Sequence, residues 1–158
     1  MVRLADLTPE EQETHLSKVP TLKPFPSRPW VRGKPLAQRR VAIVTTAGLC
    51  VRGDRPFDSG GAGMDYRVIP ADVQAADVIM SHVSVNYDRS GFQSDCNVVF
   101  PLERLKELAD EGIVGSVAAF HYSFMGAIAP ITLYEDKARE LAGLLKQDGV
   151  DGVLLTPV

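Results

Sequence analysis

Two imidazoles, two thiols and three clusters of hydroxyls are the residues of this chain whose chemistry matters first. His82 and His121 stand in or beside apolar runs, and imidazole is the usual general acid or base near neutral pH. Neither has the spacing of a metal ligand. Cys50, Cys96, His82 and His121 lack the short-spaced pairs of a zinc site, so no metal is expected. Phe120 and Tyr122 flank His121, which suits a hydrogen-bonded core histidine as well as a functional one. Asp88 and Asp95 are possible partners for His82 or Arg89, or simply turn formers. Cys50 is reactive if Arg52 lowers its pKa, and otherwise a small buried residue. The hydroxyls fall in Thr45-Thr46-Ala47-Gly48, Ser81-His82-Val83-Ser84 and Thr156-Pro157-Val158, each just after an apolar run. In open α/β sheets the ligand crevice lies beyond the carboxyl ends of the strands. Thr45, Thr46, Gly48, Ser81, Ser84, His121 and Thr156 are therefore candidate substrate-binding residues, and His82 is the candidate proton donor or substrate orienter. The same hydroxyls also cap orphan strand-end backbone groups.

The elements that must position these groups follow from pattern. Thr8, Pro9 and Glu11 make a capping box that opens a short helix to about Lys18. Pro20, Pro24, Pro26 and Pro29 forbid helix and central strand, giving an arm with Phe25 and Trp30 as anchors. Residues 1–39 thus read as an N-terminal helix and Pro-rich arm, and residues 40–158 as an α/β domain. Arg40 to Thr46 reads as a strand buried on both faces, Tyr66 to Pro70 as a brief edge strand, and Asp77 to His82 as a second buried strand. Leu102, Leu105 and Leu108 form the stripe of a helix ending near Gly112. A second helix runs from Leu133 or Tyr134 to Gln147, before a third buried strand at Gly152 to Thr156. Residues 50–66 read as a long loop and Ser84 to Val98 as irregular. Val117 to Phe124 fits either strand or turn. Ser59-Gly60-Gly61-Ala62-Gly63 follows no strand and opens no helix, so it reads as flexible loop and not a phosphate cradle. Asp54 to Asp65 has the length of a calcium loop but lacks its closing Glu and carries Pro56. Strands alternating with amphipathic helices predict a doubly wound, Rossmann-like parallel sheet with helices on both faces, lacking its last helix because the chain stops after a strand.

Composition narrows the class. The chain has 158 residues, 45% hydrophobic and 23% charged, which suits one folded domain and excludes a disordered or collagen-like chain. With Lys+Arg 17 against Asp+Glu 20 the net charge is −3, and no basic surface advertises nucleic acid. Its apolar runs fall short of the roughly eighteen residues that a membrane span needs. The acidic start, with Asp6, Glu10, Glu11 and Glu13, does not suit a targeting peptide. Two cysteines without a CxxC fit a reducing compartment. The expected location is cytoplasmic, with neither nucleic acid nor membrane as a partner.

Val41 to Leu49, Tyr66 to Pro70 and above all Ser81-His82-Val83-Ser84-Val85-Asn86-Tyr87-Asp88 carry a further signal. With Asn97 to Leu105, Gly115-Ser116-Val117, Phe120 to Gly126 and Asp148 to Val158, the chain resembles a short form of a known family over residues 38–158. This is the selenoprotein B family of glycine/sarcosine/betaine reductase and D-proline reductase. The resemblance implies an oxidoreductase that cleaves a C–N bond of a small amino-acid or betaine-type substrate, with thiols as electron source and a disulfide as acceptor. It also implies a selenocysteine or cysteine nucleophile directly past the last strand, one residue beyond Val158, with a cysteine three positions on. A partner reductase subunit bearing a carbonyl is implied in some members. Since selenocysteine is encoded by a stop codon, a record cut at that codon is one expectation, and the 158-residue chain alone is then inactive. The other is a catalytically inert α/β ligand-binding or assembly subunit.

Overall fold

The computed structural model describes residues 3–17, 19–21, 31–58, 65–84, 88–126 and 131–158. Residues 22–30 of the Pro-rich arm, with Phe25 and Trp30, and residues 59–63 lie outside the described residues. The chain divides into two compact units, Met1–Arg32 and Gly33–Val158. In the first, α1 (Pro9–Leu16) opens on the expected capping box: Thr8 N–H donates to Glu11 Oε2 at 2.9 Å, and Glu11 N–H donates back to Thr8 Oγ1 at 3.4 Å.

The second unit is built around β1 (Arg40–Thr45), whose Ala42, Ile43 and Thr45 are fully buried. Its strand-forming Val and Ile residues pair in parallel with β7 (Gly152–Thr156) along one edge, in register from Val41↔Gly152 to Thr45↔Thr156. The other edge carries β5 (Ser116–Val117) and then β6 (Phe120–Ser123), also parallel. β3 (Arg67–Pro70) closes the sheet beyond β6, antiparallel to it. On this mixed sheet, α3 (Leu102–Asp110) buries Leu102 and Leu105 with Val41, Ile43 and Phe100. α4 (Glu135–Gln147) buries Leu141 with Tyr122 and Phe124. Each such apolar side chain contributes about 1.5–3 kcal/mol by leaving water.

A doubly wound Rossmann-like parallel sheet is not what forms. Gly48, at φ +65°, stands between β1 and β2 (Leu49–Val51), and β2 pairs antiparallel with β4 (Val78–Met80). The run expected to be a second buried strand of the main sheet thus belongs to a separate two-stranded sheet. Among the described residues, no α-helix lies between β1 and β4 to make the crossover that a doubly wound fold requires. β7 is expected to be buried, yet Val153, Leu154 and Leu155 are 41, 40 and 68% exposed, because among the described residues it pairs only with β1. The segment 84–98 expected to be irregular contains α2 (Ser90–Ser94) and a 3-10 turn at Cys96–Val98.

One irregularity shapes the core. Between the pairs Val41↔Val117 and Val44↔Tyr122, β1 advances three residues and its partner five. Ala118 and Ala119 form the resulting bulge. Asp148 accepts the N–H groups of Ala119 (2.8 Å) and Phe120 (3.3 Å), and Arg40 Nη2 pairs with the same carboxylate at 2.6 Å. The bulge draws β6 away from Ile43, whose N–H donates instead to His121 Nδ1 at 2.9 Å.

Candidate functional site

β1, β6 and β7 run parallel and finish level, at Thr45, Ser123 and Thr156. Their exits are laced together. Phe124 N–H donates to Thr45 O (2.8 Å), Gly126 N–H to Thr46 O (3.2 Å), Gly48 N–H to Phe124 O (2.9 Å) and Thr46 N–H to Thr156 O (3.2 Å). The Thr46 hydroxyl accepts the Val158 N–H at 2.9 Å and reaches Val158 O at 3.3 Å, so it holds the backbone where the chain leaves β7. A Cβ on Gly126 would stand 2.9 Å from Thr46 Cβ, so only glycine lets these two exits approach so closely.

His82 enters from β4. Gly48 packs so tightly that an added Cβ would lie 3.0 Å from both His82 Cα and Met125 Sδ. The imidazole is 6% exposed and accepts the Ser84 N–H on Nδ1 at 3.2 Å, which leaves the proton of the neutral ring on Nε2. Arg89 donates to the carbonyls of His82 (2.5 Å) and Ser84 (3.3 Å) and so ties the loop. Burial first, and then the Arg89 charge, push the His82 pKa below its ordinary value, so the ring is neutral at pH 7.

The other expected site residues divide by role. The Thr45 and Thr156 hydroxyls both donate to Val99 O, at 3.0 and 3.1 Å, beneath the strand ends. Ser81 donates to Gly48 O at 3.1 Å and accepts the Phe57 N–H at 3.0 Å, with Cys50 Sγ 3.9 Å away. Thr46, Gly48, Ser81, His82 and Ser84 thus meet around the turn after β1, with Thr45 and Thr156 just below. His121 stands apart from them in the β6 bulge. It is fully buried with its ring edge-on to Phe100, and burial holds its pKa down at about 4. Asp88 and Asp95 turn out to be turn formers, capping Ser90 and Asn97. Cys50 is buried, and burial pushes the Cys96 thiol up to about 11. Among the described residues no cluster of His, Cys, Asp and Glu could hold a metal, and no helix is long and apolar enough to cross a membrane.

Ser123, Met125 and Gly126 also border this candidate site and were not singled out as site residues by the sequence reading. Ser123 Oγ accepts the Leu49 N–H at 2.7 Å and fixes the turn after β1. Their signal was the Phe124-Met125-Gly126 exit of β6, legible only once Val117 to Phe124 is known to contain a strand.

Residues 2–158 match the glycine/sarcosine/betaine reductase selenoprotein B family. The chain belongs to this family. It is 36% identical to D-proline reductase subunit gamma of Acetoanaerobium sticklandii over 124 residues, covering 78% of this chain and 50% of that protein. The betaine reductase complex component B subunit beta of Peptoclostridium acidaminophilum is 33% identical over 128 residues, covering 78% of this chain and 29% of the relative. For the sarcosine reductase complex component B subunit beta of the same organism the figures are 31% over 143 residues, 87% and 32%. The chain thus spans half or less of these relatives. No solved structure matches it. As a selenoprotein B family member, the protein is related to subunits of multi-component reductases.

Proposed function

We propose that this protein serves in a reductase that cleaves a C–N bond of glycine, betaine, sarcosine or a D-proline-like substrate, and that its level strand ends form one wall of the reaction crevice. The observation that supports this reading is the lacing of the strand exits, where Thr46 holds the Val158 backbone and closely approaches Gly126, two residues before Gly48 packs against His82. By the family resemblance, a selenol or thiol carried next to Val158 supplies the nucleophile and, with a second thiol, two electrons: C–H replaces C–N, the amine leaves with a proton, and the sulfur or selenium pair closes. Gly126 lets the exit of β6 approach Thr46, and Thr46 sets the backbone that would carry such a side chain.

The chain's own residues then have distinct tasks. Thr46 and Gly126 fix the exit of β7. Gly48 brings the His82 backbone against the turn, and the Ser84 N–H keeps the ring's proton on Nε2, where it serves the departing amine. A neutral ring donates without placing a fixed positive charge beside a cationic amine. The test uses the protein purified from its own cells with whatever subunits accompany it, assayed for dithiol-dependent reduction of the four substrates. Turnover of at least one is expected. His82→Ala should lower the turnover rate by about a hundredfold or more with the fold intact by circular dichroism. Substrate binding without reduction by that preparation would overturn the reading in favour of an inert binding subunit.

A further inference from the structure

We infer a second ligand site, for a small zwitterion such as an amino acid with a short side chain, in the hollow between α3 and the segment leading into β4. Its volume is about 170 Å³. That is the room of five or six waters at about 30 Å³ each, too little for a nucleotide-sized cofactor. Phe100 and Val78 give it an apolar floor, Gln74 lines its wall, and Glu103, Lys106 and Asn97 bring the polar groups.

The charges are what distinguish it. Glu103 and Lys106 stand three apart on α3, the spacing at which opposite charges normally meet. Arg104 and Glu107, one residue further along, do meet, at 2.9 Å. Glu103 is prevented from doing so. Asn97 Nδ2 donates to its Oε2 at 2.9 Å, Asn97 Oδ1 accepts the Glu103 N–H at 3.2 Å, and Asp95 Oδ1 anchors the same Asn97 amide at 2.9 Å. The clamp uses both amide hydrogens and the amide oxygen of Asn97. Lys106 is left half-buried with no carboxylate partner among the described residues. An unpaired ammonium and a restrained carboxylate therefore face one hollow without neutralising each other. A simple anion meets repulsion from Glu103 and a simple cation meets repulsion from Lys106. A ligand bearing both charges satisfies both, with its carboxylate on Lys106 and its ammonium on Glu103, and the hollow has room for a small one.

The site does not depend on the reaction proposed at the strand ends. The test is a titration of the ¹⁵N-labelled full chain with glycine and L-alanine, and with acetate and methylammonium as half-ligands at matched ionic strength. Saturable shifts are expected at the amides of Gln74, Asn97, Glu103 and Lys106, with glycine binding more tightly than either half-ligand. Lys106→Gln and Glu103→Gln should each weaken glycine about tenfold or more, the loss of one charge-assisted hydrogen bond, while Lys106→Arg retains binding. Absence of saturable shifts, or equal affinity for acetate and glycine, overturns the inference. Shifts confined to Thr46, Gly48 and His82 also overturn it, while leaving the strand-end reading intact.

Discussion

His121 and His82 both accept a backbone N–H on Nδ1, and both are buried, yet their surroundings differ in kind. His121 reaches across 78 residues to Ile43, inside a strand, to close a gap that a bulge has opened in the sheet. The Nδ1 partner of His82 is two residues away, in a loop that Arg89 ties and Gly48 supports. A side chain whose bond substitutes for a missing ladder bond is part of the frame. One held by local contacts beside the turn after β1 closes no gap in the sheet, and its proposed task is chemical. Residue type and burial are nearly the same for the two, so the element that carries each histidine decides its role.

The largest effect that would sharpen this contrast is acid destabilisation. The unfolded imidazole gains its proton near pH 6.5, whereas native His121 stays neutral down to about 4. Across that window the unfolded state binds more protons, so stability falls as pH drops, by about 3 kcal/mol in all. Urea unfolding at several pH values measures this. His121→Leu should remove most of the slope and, by leaving the Ile43 N–H buried without an acceptor, cost about 2 kcal/mol at pH 7. The His82 pKa is also lowered, so a residual slope of the same sign should survive in that variant. If His121→Leu keeps the full slope, the assignment of His121 to the frame is wrong.

Gly48→Ala comes next. It combines a positive φ with a Cβ 3.0 Å from the His82 backbone, and about 2 kcal/mol of destabilisation is expected. The side-chain resonances of His82 and Met125 should move while those of His121 stay, as two-dimensional NMR would show. Movement at both histidines would break the distinction between the two regions. The smallest effect belongs to Thr46→Val, which removes the hydroxyl that holds Val158. A loss of about 0.5 kcal/mol is expected, seen as faster hydrogen exchange at the Val158 amide with little change in global stability.

Much of the local structure was legible. The capping box at Thr8 and Glu11, the leucine stripe of α3, the helical face of α4 and the Val/Ile run of β1 are patterns of neighbouring residues, and each formed where its pattern stands. The site was legible only as a set of strand exits. Its geometry depends on β2, a three-residue strand too short to show periodicity, and on the Ala118–Ala119 bulge, which offsets strands about 75 residues apart in sequence. Gly126 carried no local mark of its role, which it plays through Thr46, a neighbour brought near by the fold.

By itself the sequence determined the longer helices and strands, α1, α3, α4, β1 and β7, because capping, apolar period and β-branching act over a few residues. The family also follows from it, since the resemblance rests on residue identity. Pairing direction and burial were decided by the tertiary structure alone. Val41 to Thr45 and Val153 to Thr156 are similar in composition, yet β1 is buried between two neighbours and β7 is exposed with one. A strand's burial depends on what flanks it, and that is a property of the assembled sheet, which no single stretch of chain contains.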